Sequence, residues 1–334
     1  MRLEWPRAIV RILLGPLLIL VPPVAAAAGD STLWVSTGMS VLYGGAQEIV
    51  WAQSNPASYR ESELDWSLKP LFLASMGIGI AGKSGFRGDF QARFAAPLPS
   101  GTITDSDYLN FDGVLTHFSQ HDAYAERAIF LDLDLGWEFP LRAGFSVTPF
   151  VSADLALLKL SARNGYFQYP PQATAPFTPW SPSTPMVSVY GTGILYEQDT
   201  LAPAVGLRLS AVLPGSLRGT ISCAVTPLVW GQAVDNHLFR QLDFTSSLSN
   251  GFLIEPSAAV EYQASRSAVL SLDVSYCSIT RLLGDTTVLA TGPVSSLWTS
   301  FFGAQAGTTE GPYQGSSGAG FSALTASLAL KVSL

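Results

Sequence analysis

Strict alternation between apolar and polar or small residues is the feature that most constrains this chain. From Ile129 to Phe139 every second residue is large and apolar, and most of the residues between them are acidic or glycine. Successive side chains of a β-strand point to opposite faces, so this period predicts a strand with one apolar face. The same alternation recurs at residues 64–78, 205–211, 252–262, 270–276 and 324–334.

The apolar residues are spread over these short segments and do not form long runs. Hydrophobic residues make up 48% of the chain and charged residues only 13%, whereas ordinary soluble domains carry roughly 25% charged residues. After residue 28 no apolar run approaches the roughly 18 residues that a membrane-spanning helix needs. A chain that faces lipid without such helices satisfies its backbone hydrogen bonds by closing a sheet into a barrel.

The N-terminus predicts export. Arg2, Arg7 and Arg11 precede or enter an apolar stretch, and small residues follow at positions 25–28. This order is typical of a secretory signal peptide. We therefore predict a signal peptide at residues 1–28, one β-barrel domain at residues 29–334, and a location in the outer membrane of the cell.

The predicted fold is all-β, a ten-stranded antiparallel transmembrane β-barrel. Short turns are expected at residues 83–85, 141–144, 214–216 and 264–267, and longer loops near 44–60, 98–125, 162–200, 232–250 and 283–318. Short periplasmic turns and long extracellular loops are typical of such barrels. The ten strands are expected at about residues 31–46, 60–81, 86–100, 124–140, 145–162, 199–213, 217–232, 251–263, 268–283 and 319–334. Pro70, Pro149 and Pro227 fall inside strands, where proline requires a bulge or a rim position.

Charge and cysteine content exclude several classes of function. The chain has 18 Lys and Arg against 25 Asp and Glu, a net charge of −7, so it lacks the basic excess that binds nucleic acid. Cys223 and Cys277 fall on strands that are not neighbours, which predicts two free thiols. There is no phosphate-binding loop and no metal-ligand spacing, so we expect no cofactor and no metal.

Residues capable of acid–base chemistry gather at the rim with the long loops. Asp105 and Asp107 follow the third predicted strand, and Asp235 and His237 follow the seventh. A carboxylate pair on one face of a strand can share a proton, bind a cation or position a water. A carboxylate beside an imidazole orients a ring that can serve as a general base near neutral pH. Two such pairs facing each other would activate a water, although each motif alone is also common in solvated loops.

Four stretches resemble the omptin family of outer-membrane endopeptidases, which are ten-stranded barrels. They are Gln47-Glu48-Ile49-Val50-Trp51, Ser62-Glu63-Leu64-Asp65-Trp66, Thr104-Asp105-Ser106-Asp107-Tyr108 and Ala233-Val234-Asp235-Asn236-His237. Weaker likenesses lie at Ser119-Gln120-His121 and Ser161-Ala162-Arg163. In order and spacing, the resemblance covers most of the chain beyond residue 28.

The resemblance implies a role for each matching residue. His237 and Asp105 would hold the nucleophilic water, Asp235 would orient His237, and Asp107 would support Asp105. Glu48 would receive a basic side chain of the substrate. Ser119 and His121, expected in the second long loop together with His117, would line the substrate cleft. The expected partners are peptide or protein substrates at the cell surface and the lipid of the outer membrane.

Two departures from the family pattern affect these expectations. Ala233 stands where the family has a second acidic specificity residue, so we expect relaxed selection for basic side chains. Ala153, Leu155 and Leu157 stand where the family binds lipopolysaccharide, and no such site is evident.

Three other functions fit parts of the sequence. The first is a catalytically weak omptin-like barrel that serves as an adhesin or structural protein. The second is a small porin, with charged residues such as Asp132, Asp134 and Arg208 facing inwards, although narrow barrels are usually filled by side chains. The third is a serine hydrolase built on Ser119 and His121, which lack a paired carboxylate at motif spacing.

Overall fold

The computed structural model describes residues 31–51, 59–110, 112–172, 175–293 and 305–334. The predicted signal peptide at residues 1–28 lies outside these ranges. The strands are β1 (Ser31–Trp51), β2 (Arg60–Gly82), β3 (Phe86–Ala95), β4 (Leu98–Asp107), β5 (His117–Trp137), β6 (Phe139–Pro140), β7 (Phe145–Gln168), β8 (Val187–Ser188), β9 (Thr192–Leu213), β10 (Leu217–His237), β11 (Leu242–Gln263), β12 (Ala268–Ala290) and β13 (Thr309–Ser333). None of the helices in these ranges is long and apolar enough to cross a membrane.

The strands close into one antiparallel barrel. Each long strand pairs with its neighbours along the chain, and β13 pairs with β1 to complete the ring. β3 and β4 occupy one position in the wall, because both lie between β2 and β5. The wall therefore has ten strand positions, which confirms the predicted fold.

Three prolines sit where the pairing is interrupted, as proline requires. Pro70 lies opposite a register shift between Leu42 and Gly44, and Pro227 lies in a shift of β10 against β11. Pro149 faces the gap between β5 and β6. The four short turns also lie where the sequence predicts them.

The strands extend much further at the opposite end than the sequence suggests. The predicted boundaries at this end are wrong: β5 begins at His117, β9 begins at Thr192, and β10 continues to His237. Large parts of the expected long loops are thus paired strand. The alternation fades there because neither face of a strand needs to be apolar once the strand has left the lipid.

An apolar outer belt covers the central part of the wall. Exposed aliphatic side chains such as Val35, Ile78, Val205, Leu272 and Leu328 face outwards in it. Exposed aromatic residues border the belt on both sides, as in membrane barrels. Trp137, Phe139, Phe145 and Tyr262 lie towards the short turns, and Tyr43, Trp230, Phe252 and Tyr276 lie towards the other end. The stretches between these two rings are the membrane-spanning segments.

The barrel interior is filled in layers. Near the short turns, ion pairs such as Arg93–Asp132 at 2.8 Å, Arg208–Asp134 at 2.7 Å and Lys331–Glu261 at 2.6 Å line a cavity of 460 Å³. Above this cavity lies a buried apolar layer that includes Phe130 and Phe321, whose ring centroids are 6.0 Å apart. The candidate site lies beyond that layer, so the interior has the form of a packed plug and not of a pore.

Candidate active site

The candidate site is a cleft at the end of the barrel beyond the second aromatic ring. Glu48 follows Tyr43 of that ring by five residues, or about 16 Å along an extended strand. Asp235 follows Trp230 by the same interval on β10. The cleft is therefore outside the membrane-spanning segments, and its walls are the extensions of the same strands.

β4 presents the aspartate pair on the inner face of the wall. Asp105 pairs with Ser119 of β5, and Asp107 pairs with His117. Residues two apart on a strand point to the same side, so both carboxylates enter the cleft. Both are buried, with 3% and 2% of their surfaces exposed. The Ser62 hydroxyl donates a hydrogen bond to Oδ1 of Asp105 at 3.4 Å.

β10 presents the second pair. Nε2 of His237 lies 2.6 Å from Oδ2 of Asp235, and both side chains are buried. The edge of the His237 ring packs against Phe244 of β11, with centroids 5.7 Å apart. The carboxylate and the aromatic ring together fix the imidazole, and the second oxygen of Asp235, Oδ1, is buried with no hydrogen-bond partner.

The Asp105–Asp107 pair and the Asp235–His237 pair lie close enough to interact electrostatically. Burial, followed by repulsion from Asp107, raises the pKa of Asp105 to about 6. Arg240 and His237 lower that pKa and Asp235 raises it, so groups on β10 and its following turn act on a carboxylate of β4. The sequence-predicted catalytic residues are thus brought together in one cleft.

Arg240 is the cleft residue that the sequence reasoning missed. Its guanidinium lies 3.3 Å from Oδ2 of Asp105 and 3.1 Å from Oδ2 of Asp107. The same nitrogen donates to the hydroxyl of Tyr169 at 3.0 Å. Two buried carboxylates require a nearby cation. Arg240 follows His237 by only three residues, so it is a basic residue that the sequence places next to the predicted site.

Glu48 of β1 is a further buried carboxylate of the cleft. Its side chain is 2% exposed, and Oε2 has no hydrogen-bond partner. Burial, with further contributions from Asp235 and Asp105, raises the pKa of Glu48 well above its usual value. Trp66 and Tyr196 stack nearby with ring centroids 5.6 Å apart, and Nε1 of Trp66 also lacks a partner. Ala233 is buried two residues before Asp235 on the same strand.

His117, Ser119 and His121 lie on β5, so their predicted position in a long loop is wrong. Nε2 of His121 is 3.0 Å from the Ser119 hydroxyl, and Nδ1 contacts the backbone oxygen of Asn164. Both ring nitrogens of His121 are therefore occupied, the second by a neutral carbonyl and not by a carboxylate. Burial lowers the pKa of His121, and it lowers the pKa of His117 to about 4.

Among the residues that the structure describes, no group of three or more His, Cys, Asp or Glu side chains is arranged to hold a metal ion. Cys223 and Cys277 are free thiols on β10 and β12, as predicted.

The architecture of the barrel is similar to that of a solved outer-membrane protease. The crystal structure of the outer membrane protease OmpT from Escherichia coli aligns with a TM-score of 0.76 at 14% identity, covering 91% of this chain and 97% of that chain. The translocator domain of the autotransporter NalP from Neisseria meningitidis aligns with a TM-score of 0.35 at 12% identity, covering 98% and 97% of the two chains. That score is too low to indicate a shared fold. No curated protein matches the chain significantly.

A family model provides the remaining evidence. The model of the Omptin family matches residues 30–321, which include the whole barrel as far as the middle of β13. The match spans far more than half of the chain and agrees with the OmpT-like barrel. The protein therefore belongs to the Omptin family of outer-membrane proteases.

Proposed function

We propose that this protein is an endopeptidase of the outer membrane, with its cleft on the extracellular side, that hydrolyses peptide bonds by means of an activated water. The observation that carries the proposal is the meeting of Asp105 and Asp107 with Asp235 and His237 in one buried cleft. Family membership and the OmpT-like fold support the same reaction class.

The proposed reaction begins with a water held between His237 and Asp105. His237 removes a proton while the water oxygen attacks the scissile carbonyl carbon, and the C–N bond breaks when the proton passes to the leaving amine. Asp235 keeps the ring oriented through its 2.6 Å contact and stabilises the charge that the ring acquires. Asp107 supports Asp105, and no residue forms a covalent intermediate.

Glu48 is proposed to bind a basic side chain of the substrate. A buried carboxyl oxygen without a hydrogen-bond partner is energetically unfavourable. A guanidinium or ammonium group of the substrate can donate the missing hydrogen bond. Oδ1 of Asp235, which is also buried without a hydrogen-bond partner, and the other carboxylates of the cleft likewise favour a basic side chain. Ala233 contributes an apolar wall, and Ser119 and His121 line the cleft.

The proposal is tested with a quenched fluorescent peptide that contains arginine. Asp105→Asn and His237→Ala should each lower the kcat of the refolded barrel by roughly 10²–10⁴-fold, since the first weakens the binding of the attacking water and the second removes the general base. Ser119→Ala, a matched change in the same cleft, should cost less than about tenfold, because it removes one neutral hydrogen bond. Loss of activity in Ser119→Ala with full activity in His237→Ala would instead indicate a serine nucleophile.

The alternative is a barrel that serves as an adhesin or structural protein. One feature favours it: Ala233 supplies no second acid beside Glu48. Failure of the folded wild-type barrel to cleave any peptide would select this alternative over the endopeptidase.

A further inference from the structure

Arg240 is held in the cleft by a short, well-anchored turn between β10 and β11. Its backbone N–H donates to the carbonyl of His237 at 3.1 Å. The N–H of Leu238 donates to Gly193 at 2.9 Å, and the N–H of Thr291 donates to Gln241 at 2.9 Å. The turn is therefore held on one side by β9 and on the other by the residue that follows β12. The Arg240 side chain is 15% exposed, so the guanidinium is largely withdrawn from water.

The charges around the aspartate pair make this cation necessary. Glu48 from β1 and Asp235 from β10 interact electrostatically with Asp105, and Glu61 from β2 interacts with Asp107, so the pair lies among further acidic groups. In the described part of the chain, His117 of β5, His237 of β10 and Tyr169 beyond the end of β7 also interact with the pair, and His121 of β5 interacts with Arg240 and His237.

Among the side chains that the structure describes, Arg240 is the only Lys or Arg within salt-bridge distance of either aspartate. Its removal would leave two adjacent carboxylates buried without a counter-charge, which is strongly unfavourable.

We propose that Arg240 is a positioning residue of the hydrolytic site, which fixes the orientation of Asp105 and Asp107 and balances their charge so that Asp105 can hold the attacking water. This inference rests on the proposed function. One guanidinium nitrogen reaches an Oδ2 atom of each aspartate, so a single group sets the spacing of the pair. Tyr169 accepts from the same nitrogen at 3.0 Å and limits its movement.

The position of Arg240 argues against a role as an internal inhibitor that mimics a basic substrate. Such a mimic would occupy the carboxylate proposed to bind the substrate, but Oε2 of Glu48 has no partner. Arg240 lies instead on the aspartate pair, where its charge lowers the pKa of Asp105 while burial and the charge of Asp107 raise it.

The experiment compares Arg240→Gln and Arg240→Lys with wild type over a range of pH, using the refolded full-length barrel and the same fluorescent peptide. Arg240→Gln should lower kcat by roughly 10–100-fold through the loss of charged hydrogen bonds. It should also move the acid limb of kcat/KM upwards by about one pH unit, because the carboxylate loses a neighbouring positive charge. Arg240→Lys retains the positive charge, so its acid limb should lie at the wild-type pH. Its kcat should be higher than that of Arg240→Gln but lower than that of wild type.

A matched control separates this effect from general destabilisation. Arg127 lies in the same barrel and forms salt bridges with Glu197 and Asp199, at 3.6 Å and 3.3 Å, away from the aspartate pair. Arg127→Gln should leave the acid limb where it is. Heat-dependent gel mobility confirms that each variant has folded. An Arg240→Gln enzyme with the wild-type pH profile, or with higher activity, would overturn the proposal.

A second measurement does not depend on activity. Carbon-13 NMR of the labelled aspartate carboxyls follows the titration of Asp105 in wild type and Arg240→Gln, with Asp105→Asn used to assign the signal. The midpoint should rise by about one unit in the variant. An unchanged midpoint overturns the role of Arg240 even when wild type cleaves peptides. Absence of cleavage by wild type with a shifted midpoint contradicts the proposed function and not the electrostatic role of Arg240.

Discussion

At the scale of single residues, the cleft combines several buried carboxylates with the buried guanidinium of Arg240. Asp105 and Asp107 share Arg240, whereas Oε2 of Glu48 has no hydrogen-bond partner. The excess negative charge attracts cations, and the low-dielectric walls strengthen that attraction. Selection for basic peptides should therefore depend on Glu48, and its strength should depend on the residue at position 233.

Substitutions at these two positions should change the cleavage preference in opposite directions. Glu48→Ala should remove most of the preference for arginine, since the charged hydrogen bond it provides favours a cation by roughly 10–100-fold. Ala233→Asp should sharpen the preference, because two carboxylates can hold a guanidinium through two parallel hydrogen bonds. Cleavage rates on matched peptides with Arg, Lys, Gln or Leu before the scissile bond measure both effects. Strict cutting at arginine in the presence of Glu48→Ala would show that the basic side chain binds elsewhere.

At the scale of strands, the geometry of β5 and β7 depends on an irregularity beside the cleft. The register between these strands shifts at Gln120 and Asp122, opposite Asn164 and Gly165 of β7. Asn164 and Gly165 have positive φ angles, of 53° and 105° respectively. This local conformation directs the backbone oxygen of Asn164 towards His121, whose other nitrogen contacts Ser119.

Gly165→Ala should damage both the barrel and the cleft. A Cβ at this position would lie 2.1 Å from the backbone oxygen of Gln120, so the strands would have to separate. Gly191→Ala is the matched control: its φ of 88° is also positive, but a Cβ there meets nothing within 4 Å. The control should lose about 1–2 kcal/mol of unfolding free energy from backbone strain alone. Urea unfolding of the refolded barrels should show a clearly larger loss for Gly165→Ala, and equal losses would contradict the steric account.

The sequence predicts the strands well only where lipid constrains them. In the belt, the outer face of each strand contacts lipid and must be apolar. The alternation at Ile129–Phe139 is therefore clear. The extensions that carry Asp105, His121 and His237 lie beyond the lipid, where no apolar face is required, and their sequence therefore predicts loops although they form strands. Arg240 escaped detection for a related reason: its partners are 135 and 133 residues away in sequence.

At the scale of the whole molecule, the barrel separates three environments along its axis. The outer belt is apolar. Inside the barrel, a cavity lined by ion pairs is closed by a buried apolar layer, and the cleft lies beyond the second aromatic ring. The apolar layer argues against the porin interpretation, because Phe130 and Phe321 occupy the path that ions would follow. The barrel therefore serves as a rigid support for the cleft.

A charge placed in the outer belt should destabilise this support, whereas the same charge beyond the belt should not. Leu272 is 54% exposed and lies between Val260 and Leu328 on the outer face. Leu272→Lys should lower the unfolding free energy in lipid vesicles by about 2–4 kcal/mol. Thr245→Lys, at an exposed position on the extension of β11, should change it by less than about 0.5 kcal/mol. Equal tolerance of both changes would mean that the belt has been placed wrongly.

The most direct test of the account is the exposure of an unbiased peptide library to wild-type barrel and to Asp105→Asn, refolded side by side in the same lipid. Mass spectrometry then identifies every new terminus. The account predicts internal cleavage by wild type, enriched at basic residues, and almost none by the folded variant. Folded wild type that leaves the library intact, or an Asp105→Asn barrel that cleaves it equally well, would contradict the central claim that this cleft activates a water for peptide hydrolysis.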